Sequence, residues 1–144
     1  MIILVSACLL GVSCRYDGKS NPDARVQKLM VQHNLIPVCA EIFGGLSTPR
    51  KPAERQDDRV VTADGDDVTA AYQRGAEEVL RLAKLYDARY AILKERSPSC
   101  GSGIIHNGRF DGGLTEGWGV TAELLRHNGI QVYGESEIDR LLHE

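Results

Sequence analysis

Four cysteines stand at positions 8, 14, 39 and 100 of a 144-residue chain. Three of them, Cys8, Cys39 and Cys100, lie far enough apart to belong to three different structural elements. Three thiolates with one open coordination position suit either a zinc ion with a labile fourth site or an iron–sulfur cube with one iron not bound by protein. The spacing matches neither the paired C-x-x-C knuckles of common structural zinc sites nor the compact cysteine run of bacterial ferredoxins. A competing reading makes the buried cysteines small apolar fillers. Disulfides are disfavoured, because a reduced chain of this length builds a core without them. The absence of a C-x-x-C pair argues against a thiol redox protein.

Composition bounds the rest. A hydrophobic fraction of 42% and a charged fraction of 26% are those of an ordinary globular protein, and we read residues 1–144 as one domain. No apolar run is long enough to span a bilayer. Met1 to Leu10 lacks a basic n-region and reads as a buried strand, so a cytoplasmic protein is expected, with no membrane partner. The formal charge of −3 offers no footprint for a polyanion, and large nucleic acid is not the favoured ligand.

The elements that must position the cysteines follow from periodicity. Ile2-Ile3-Leu4-Val5 is a continuous apolar run, as for a strand buried on both faces. Asn21-Pro22-Asp23 starts a helix predicted to run to about Asn34, with Val26, Leu29, Met30 and Val31 at helical spacing. Leu35 to Val38 reads as a second strand, with Pro37 marking an edge. Phe43 to Asp58 reads as a long ordered loop, Arg59 to Thr62 as a short strand, and Asp66 to about Lys84 as a helix with Tyr72, Ala76 and Val79 on its buried side. Tyr90 to Leu93 is a further strand, followed by the loop Glu95 to Gly103 and a glycine-rich stretch that reaches Gly119; Val120 to about His127 is a helix closed by Asn128-Gly129, and Ile130 to Tyr133 the last strand. Glu135 to Leu142 adds a short helix. This alternation predicts an α/β fold: an open, mostly parallel, Rossmann-like sheet with helices on both faces. In such a sheet ligands bind beyond the carboxyl ends of the strands. Cys8, Cys39 and Cys100 each follow a predicted strand, so they meet in one crevice if those strands are neighbours.

Several separate motifs occur in order along this frame: Ser6-Ala7-Cys8-Leu9-Leu10-Gly11, Arg15-Tyr16-Asp17-Gly18, Pro37-Val38-Cys39-Ala40-Glu41, Gly44-Gly45-Leu46 with Pro49-Arg50, Glu95-Arg96-Ser97-Pro98-Ser99-Cys100-Gly101-Ser102-Gly103, and Gly119-Val120-Thr121-Ala122. Over nearly the whole chain they resemble the thiouracil desulfidase family, long catalogued as a domain of unknown function. The resemblance implies a [4Fe-4S] cluster held by Cys8, Cys39 and Cys100, whose free iron takes the sulfur of a thiocarbonyl. It implies conversion of 2-thiouracil or 4-thiouracil to uracil plus sulfide by non-redox hydrolytic substitution, with a small thiolated base or nucleoside as substrate. Glu41 is then the acid–base residue and Ser97 the second catalytic residue.

Each assignment has a plainer counterpart. Glu41 also suits a helix start, and Ser-Pro-Ser commonly makes turns, where Ser99 does the same work as Ser97. Arg15, Tyr16 and Asp17 orient a nucleobase or form an exposed turn. Gly101 and Gly103 let the backbone approach the cluster or simply end the loop. Arg50 binds an anionic group or is a solvated loop charge. Cys14 reads as a bystander to the three ligands, or as a spare thiol once the cluster is lost. His33, His106, His127 and His143 read as surface residues, and Trp118 as a packing anchor. Two alternatives of different class remain: a zinc-dependent hydrolase on the same three thiolates, and a non-catalytic cluster or metal-binding module.

Overall fold

The computed structural model describes residues 1–143. In chain order its elements are β1 (Ile2–Ser6), α1 (Ala24–Lys28), β2 (Asn34–Val38), α2 (Ala40–Phe43), β3 (Ala53–Gln56), β4 (Arg59–Thr62), α3 (Thr69–Leu85), β5 (Tyr90–Leu93), β6 (Ser102–His106), β7 (Leu114–Trp118), α4 (Val120–His127), β8 (Gln131–Gly134) and α5 (Ile138–Leu142). Short 3-10 turns follow β1 and α1 and precede α5. No described helix is long and apolar enough to cross a membrane.

A four-stranded sheet of order β2-β1-β5-β8 is parallel throughout, as the strand–helix alternation predicts. Helices cover both faces, which is why β1 is apolar at every inner position: Ile3, Leu4 and Val5 are fully buried. Alternate side chains serve opposite faces. Ile3 and Val5 pack with Val26 of α1 and with Ile138 and Leu141 of α5. Leu4 packs on the other side with Val79 and Ala83 of α3 and with Ala122 and Leu125 of α4. Pro37 lies in β2, the edge strand, where its missing N–H leaves no ladder bond unmade.

Three predicted stretches come out differently. The first helix ends at Lys28, with a 3-10 turn over Leu29–Val31. Met30 and Val31 are 62% and 85% exposed, so their helical spacing marks no buried stripe. The loop expected from Phe43 to Asp58 contains β3, which pairs antiparallel with β4. The loop from Glu95 and the glycine-rich stretch that reaches Gly119 contain the antiparallel ribbon β6–β7. Neither β3 nor β7 has an alternating apolar pattern. They are held instead by contacts remote in sequence: the Arg55 guanidinium donates to the Trp118 carbonyl at 2.5 Å and to Glu123 of α4 at 3.2 Å.

Helices α2 and α3 touch through backbone. A Cβ placed on Gly75 stands 1.8 Å from the Ala40 carbonyl oxygen, and one on Gly44 stands 2.0 Å from the Ala71 carbonyl oxygen. Only glycine permits this reciprocal approach. Its consequence is positional: it brings Glu41, on α2, against Tyr72, on α3.

Candidate active site

Cys8, Cys39 and Cys100 lie beyond the carboxyl ends of β1, β2 and β5. These strands are adjacent, with β1 between the other two. All three cysteines line one cavity of about 480 Å3, within the roughly 300–1,000 Å3 of small-molecule sites. Cys14 lines it too. All four thiols are free; Cys14, read from sequence as a bystander to the three ligands, is 8% exposed, its thiol interacts with those of Cys8 and Cys39, and its carbonyl accepts from Cys39 Sγ at 3.9 Å.

The thiols are not equivalent. Cys39 caps the start of α2; the hydrogen bond from Cys14, aided by the Ile42 N–H, brings its pKa down to about 7 against the opposing effect of burial. The bond from Cys14 likewise draws Cys8 below the ordinary thiol value, with Asn21 and the charge of Lys94 acting in the same direction. The same interactions with Cys39 and then Cys8, together with burial, push Cys14 itself strongly up. Burial pushes Cys100 up to about 12, although the Ser6 hydroxyl donates to its sulfur at 3.5 Å. A buried thiol of this kind becomes a thiolate when a cation replaces its proton. Among the described residues no three His, Cys, Asp or Glu side chains form a ligand set for a single metal ion. Thiols distributed round a cavity suit a cluster in which each iron takes one thiolate. The donor set therefore fits a [4Fe-4S] group.

Beside the thiols stands a carboxylate with two donors. The Tyr72 hydroxyl donates to Glu41 Oε1 and the Arg50 guanidinium to Glu41 Oε2. Arg50 also donates to the Cys14 carbonyl at 2.8 Å, and its side chain is only 8% exposed. It is thus neither a solvated loop charge nor free for an anion. Burial, and then the charge of Glu41, push the Tyr72 hydroxyl far above its usual value, so it remains a donor. Tyr72 was legible only as a buried helix residue; nothing in its spacing marked it for the site.

Ser97 Oγ accepts from the backbone N–H groups of Ser99 at 3.0 Å and Cys100 at 3.1 Å. With both lone pairs engaged, the hydroxyl is left only its proton to offer. Ser99 lines the cavity, but its hydroxyl is tied to Thr121 at 2.9 Å. Arg15 and Tyr16 line it as well, whereas Asp17 and Gly101 do not. Asp17 pairs with Arg15 at 3.2 Å, and the Gly101 N–H donates to the Ser97 carbonyl at 2.9 Å. The reading of His106 as a surface residue is corrected: it lines the cavity. So does Lys94, paired with Glu135 at 3.0 Å.

A parallel α/β sheet that gathers separated thiols at its carboxyl edge, beside a carboxylate fixed by two donors, defines a Rossmann-like protein with a thiol-lined ligand pocket. The chain belongs to the 2-thiouracil desulfurase family, which it matches over residues 3–137. It is 44% identical, over 151 aligned residues covering 98% of this chain and all of the relative, to the uncharacterized protein YbbK of Bacillus subtilis (strain 168). It is also similar to a solved structure described as the [4Fe-4S]-dependent thiouracil desulfidase TudS, with a TM-score of 0.93 and 50% identity over 97% of this chain and 94% of that one.

Proposed function

We propose that this protein is a [4Fe-4S]-dependent desulfidase that converts a thiolated pyrimidine base, 2-thiouracil or 4-thiouracil, to uracil with release of sulfide. One observation carries the reading: Cys8, Cys39 and Cys100 follow three adjacent parallel strands and line one cavity. These three residues would hold the cluster, which supplies a soft Lewis-acid iron without a protein ligand for the thiocarbonyl sulfur. Water contributes the oxygen that stays on carbon and the two hydrogens that leave with sulfur, so no electrons are exchanged.

Glu41 is the group that removes a proton from the attacking water. Tyr72 and Arg50 hold its carboxylate in one orientation. Ser97, committed as an acceptor to the loop backbone, donates its proton to the substrate. Arg15 and Tyr16 offer a charge and a ring face to the base. Asp17, Ser99 and Gly101 act one step removed, by steadying Arg15 and the Ser97–Cys100 loop. The net charge of −3 favours a free base or nucleoside over a nucleic acid, and the reducing cytoplasm is the compartment that suits free thiols and a cluster.

The test is anaerobic reconstitution, quantification of iron, zinc and acid-labile sulfide, and a sulfide-release assay on a panel of thiolated bases. Cluster-dependent release from a thiouracil is the expected result. A fully loaded cluster with no release from any base would overturn the enzymatic reading, and stoichiometric zinc in active protein would replace the cluster by a zinc hydrolase.

A further inference from the structure

Most polar side chains around the cavity already have protein partners. Glu41 is held by Tyr72 and Arg50, Arg15 by Asn21 and Asp17, Lys94 by Glu135, and Ser99 by Thr121. Among the described residues, two buried side-chain polar atoms have no hydrogen-bond partner: Ser102 Oγ and His106 Nδ1. Only His106 lines the cavity.

Its backbone is well fixed. The His106 N–H donates to the Arg96 carbonyl at 3.3 Å, and a parallel bridge joins Ile105 to Arg96, so the end of β6 is strapped beside the loop that carries Ser97 and Cys100. Glu54 Oε1 accepts from the N–H groups of Gly108 at 2.9 Å and Phe110 at 3.2 Å, which pins the turn that follows. A rigid backbone thus presents an imidazole whose buried nitrogen is unpaired. Such a group costs the free protein its lost hydration and calls for an explanation. No hydrogen bond at Nδ1 holds the ring in one setting, and its terminal torsion is of the broad, roughly two-fold kind.

We infer that His106 is a substrate-contacting, specificity-determining residue that hydrogen-bonds the polar edge of the pyrimidine. A thiouracil presents adjoining ring N–H and carbonyl or thiocarbonyl groups, and an imidazole can meet such an edge as donor or acceptor. The inference rests on the desulfidase reading. It accounts for the one buried side-chain polar atom of a described cavity-lining residue that has no partner in the protein.

The test compares cluster-loaded wild type with His106→Phe, which keeps a ring but removes both nitrogens, and with His106→Asn and His106→Gln, which restore a polar group. Calorimetric binding of uracil, KM for 2-thiouracil, iron content and melting temperature are measured anaerobically. In His106→Phe, uracil affinity falls and KM rises by about tenfold, the loss of one buried hydrogen bond. Iron content is unchanged, and the melting temperature holds or rises, because the orphaned nitrogen has gone. One of the two amide variants recovers part of the affinity. Uracil binding by His106→Phe equal to wild type overturns the inference while the desulfidase reading stands. Wild type that neither binds uracil nor releases sulfide from a thiouracil removes both.

Discussion

Tyr72 donates its hydroxyl proton to the carboxylate of Glu41, thirty-one residues earlier in the chain. The contact joins a helix of the outer layer to the short helix that follows Cys39, and it exists because two glycines let those helices approach through their backbones.

Removing that proton isolates its role. Tyr72→Phe keeps the ring in the core but leaves Glu41 with Arg50 alone, so the carboxylate is less well oriented. We expect a loss of stability of about 1 kcal/mol in chemical denaturation. In steady-state kinetics kcat falls roughly tenfold at unchanged KM, as for an interaction used mainly in the transition state. An equal change in KM would assign Tyr72 to ground-state binding instead.

The glycine contact is a second point of attack. Gly75→Ala places a methyl carbon 1.8 Å from the Ala40 carbonyl oxygen, and backbone on both sides must move. Overpacking of this kind costs about 1–3 kcal/mol, read as a lowered urea midpoint. Activity falls more than stability alone explains, because the displaced helix carries Glu41 and follows Cys39.

The four cysteines separate by substitution. Cys8→Ser, Cys39→Ser and Cys100→Ser each remove a proposed ligand and bring iron, acid-labile sulfide and turnover close to background. Cys14→Ser leaves the three ligands intact and keeps a hydroxyl donor where the thiol pointed at Cys8 and Cys39, so iron content stays near wild type. Elemental analysis of the four variants, prepared in parallel without oxygen, checks this. Loss of iron in Cys14→Ser would make Cys14 a ligand.

A pH dependence follows from Glu95, whose carboxylate accepts from the Ser136 backbone N–H at 2.7 Å and from the Ser136 hydroxyl. Partial burial is the largest single influence and pulls its pKa up, but the bonds from Ser136 together with the charges of Lys94 and Arg96 outweigh it, so it lies below the ordinary 4.5. With the folded value depressed, the unfolded chain takes up the proton first as the solution is acidified. The stabilisation is therefore complete above the unfolded pKa and lost as pH falls through the folded one. Urea titrations of wild type and Glu95→Gln should differ most above that ordinary carboxylate value and converge as the pH falls below the depressed folded value.

The sequence by itself determined the elements whose code is local. The apolar run of β1, the strand at Tyr90–Leu93, the amphipathic helix α3 and the helix from Val120 to His127 with its Asn-Gly stop all appear where periodicity and capping place them, because burial of one helix face or of a whole central strand leaves a pattern within a few residues. The position of three cysteines after strands was legible for the same reason. Tertiary structure decided what depends on neighbours far along the chain. Strand order alone made β1, β2 and β5 adjacent and gave the thiols one cavity. Strands β3 and β7, without an alternating apolar pattern, and β6, with two isoleucines side by side, exist through pairing and through contacts such as that of Arg55 with Glu123. The partnership of Tyr72 and Arg50 with Glu41, the seat of Cys14 between Cys8 and Cys39, and the unpaired nitrogen of His106 leave no periodic trace. Hydrogen bonds between residues remote in sequence are set by the packing of whole elements, and a single sequence records only the elements.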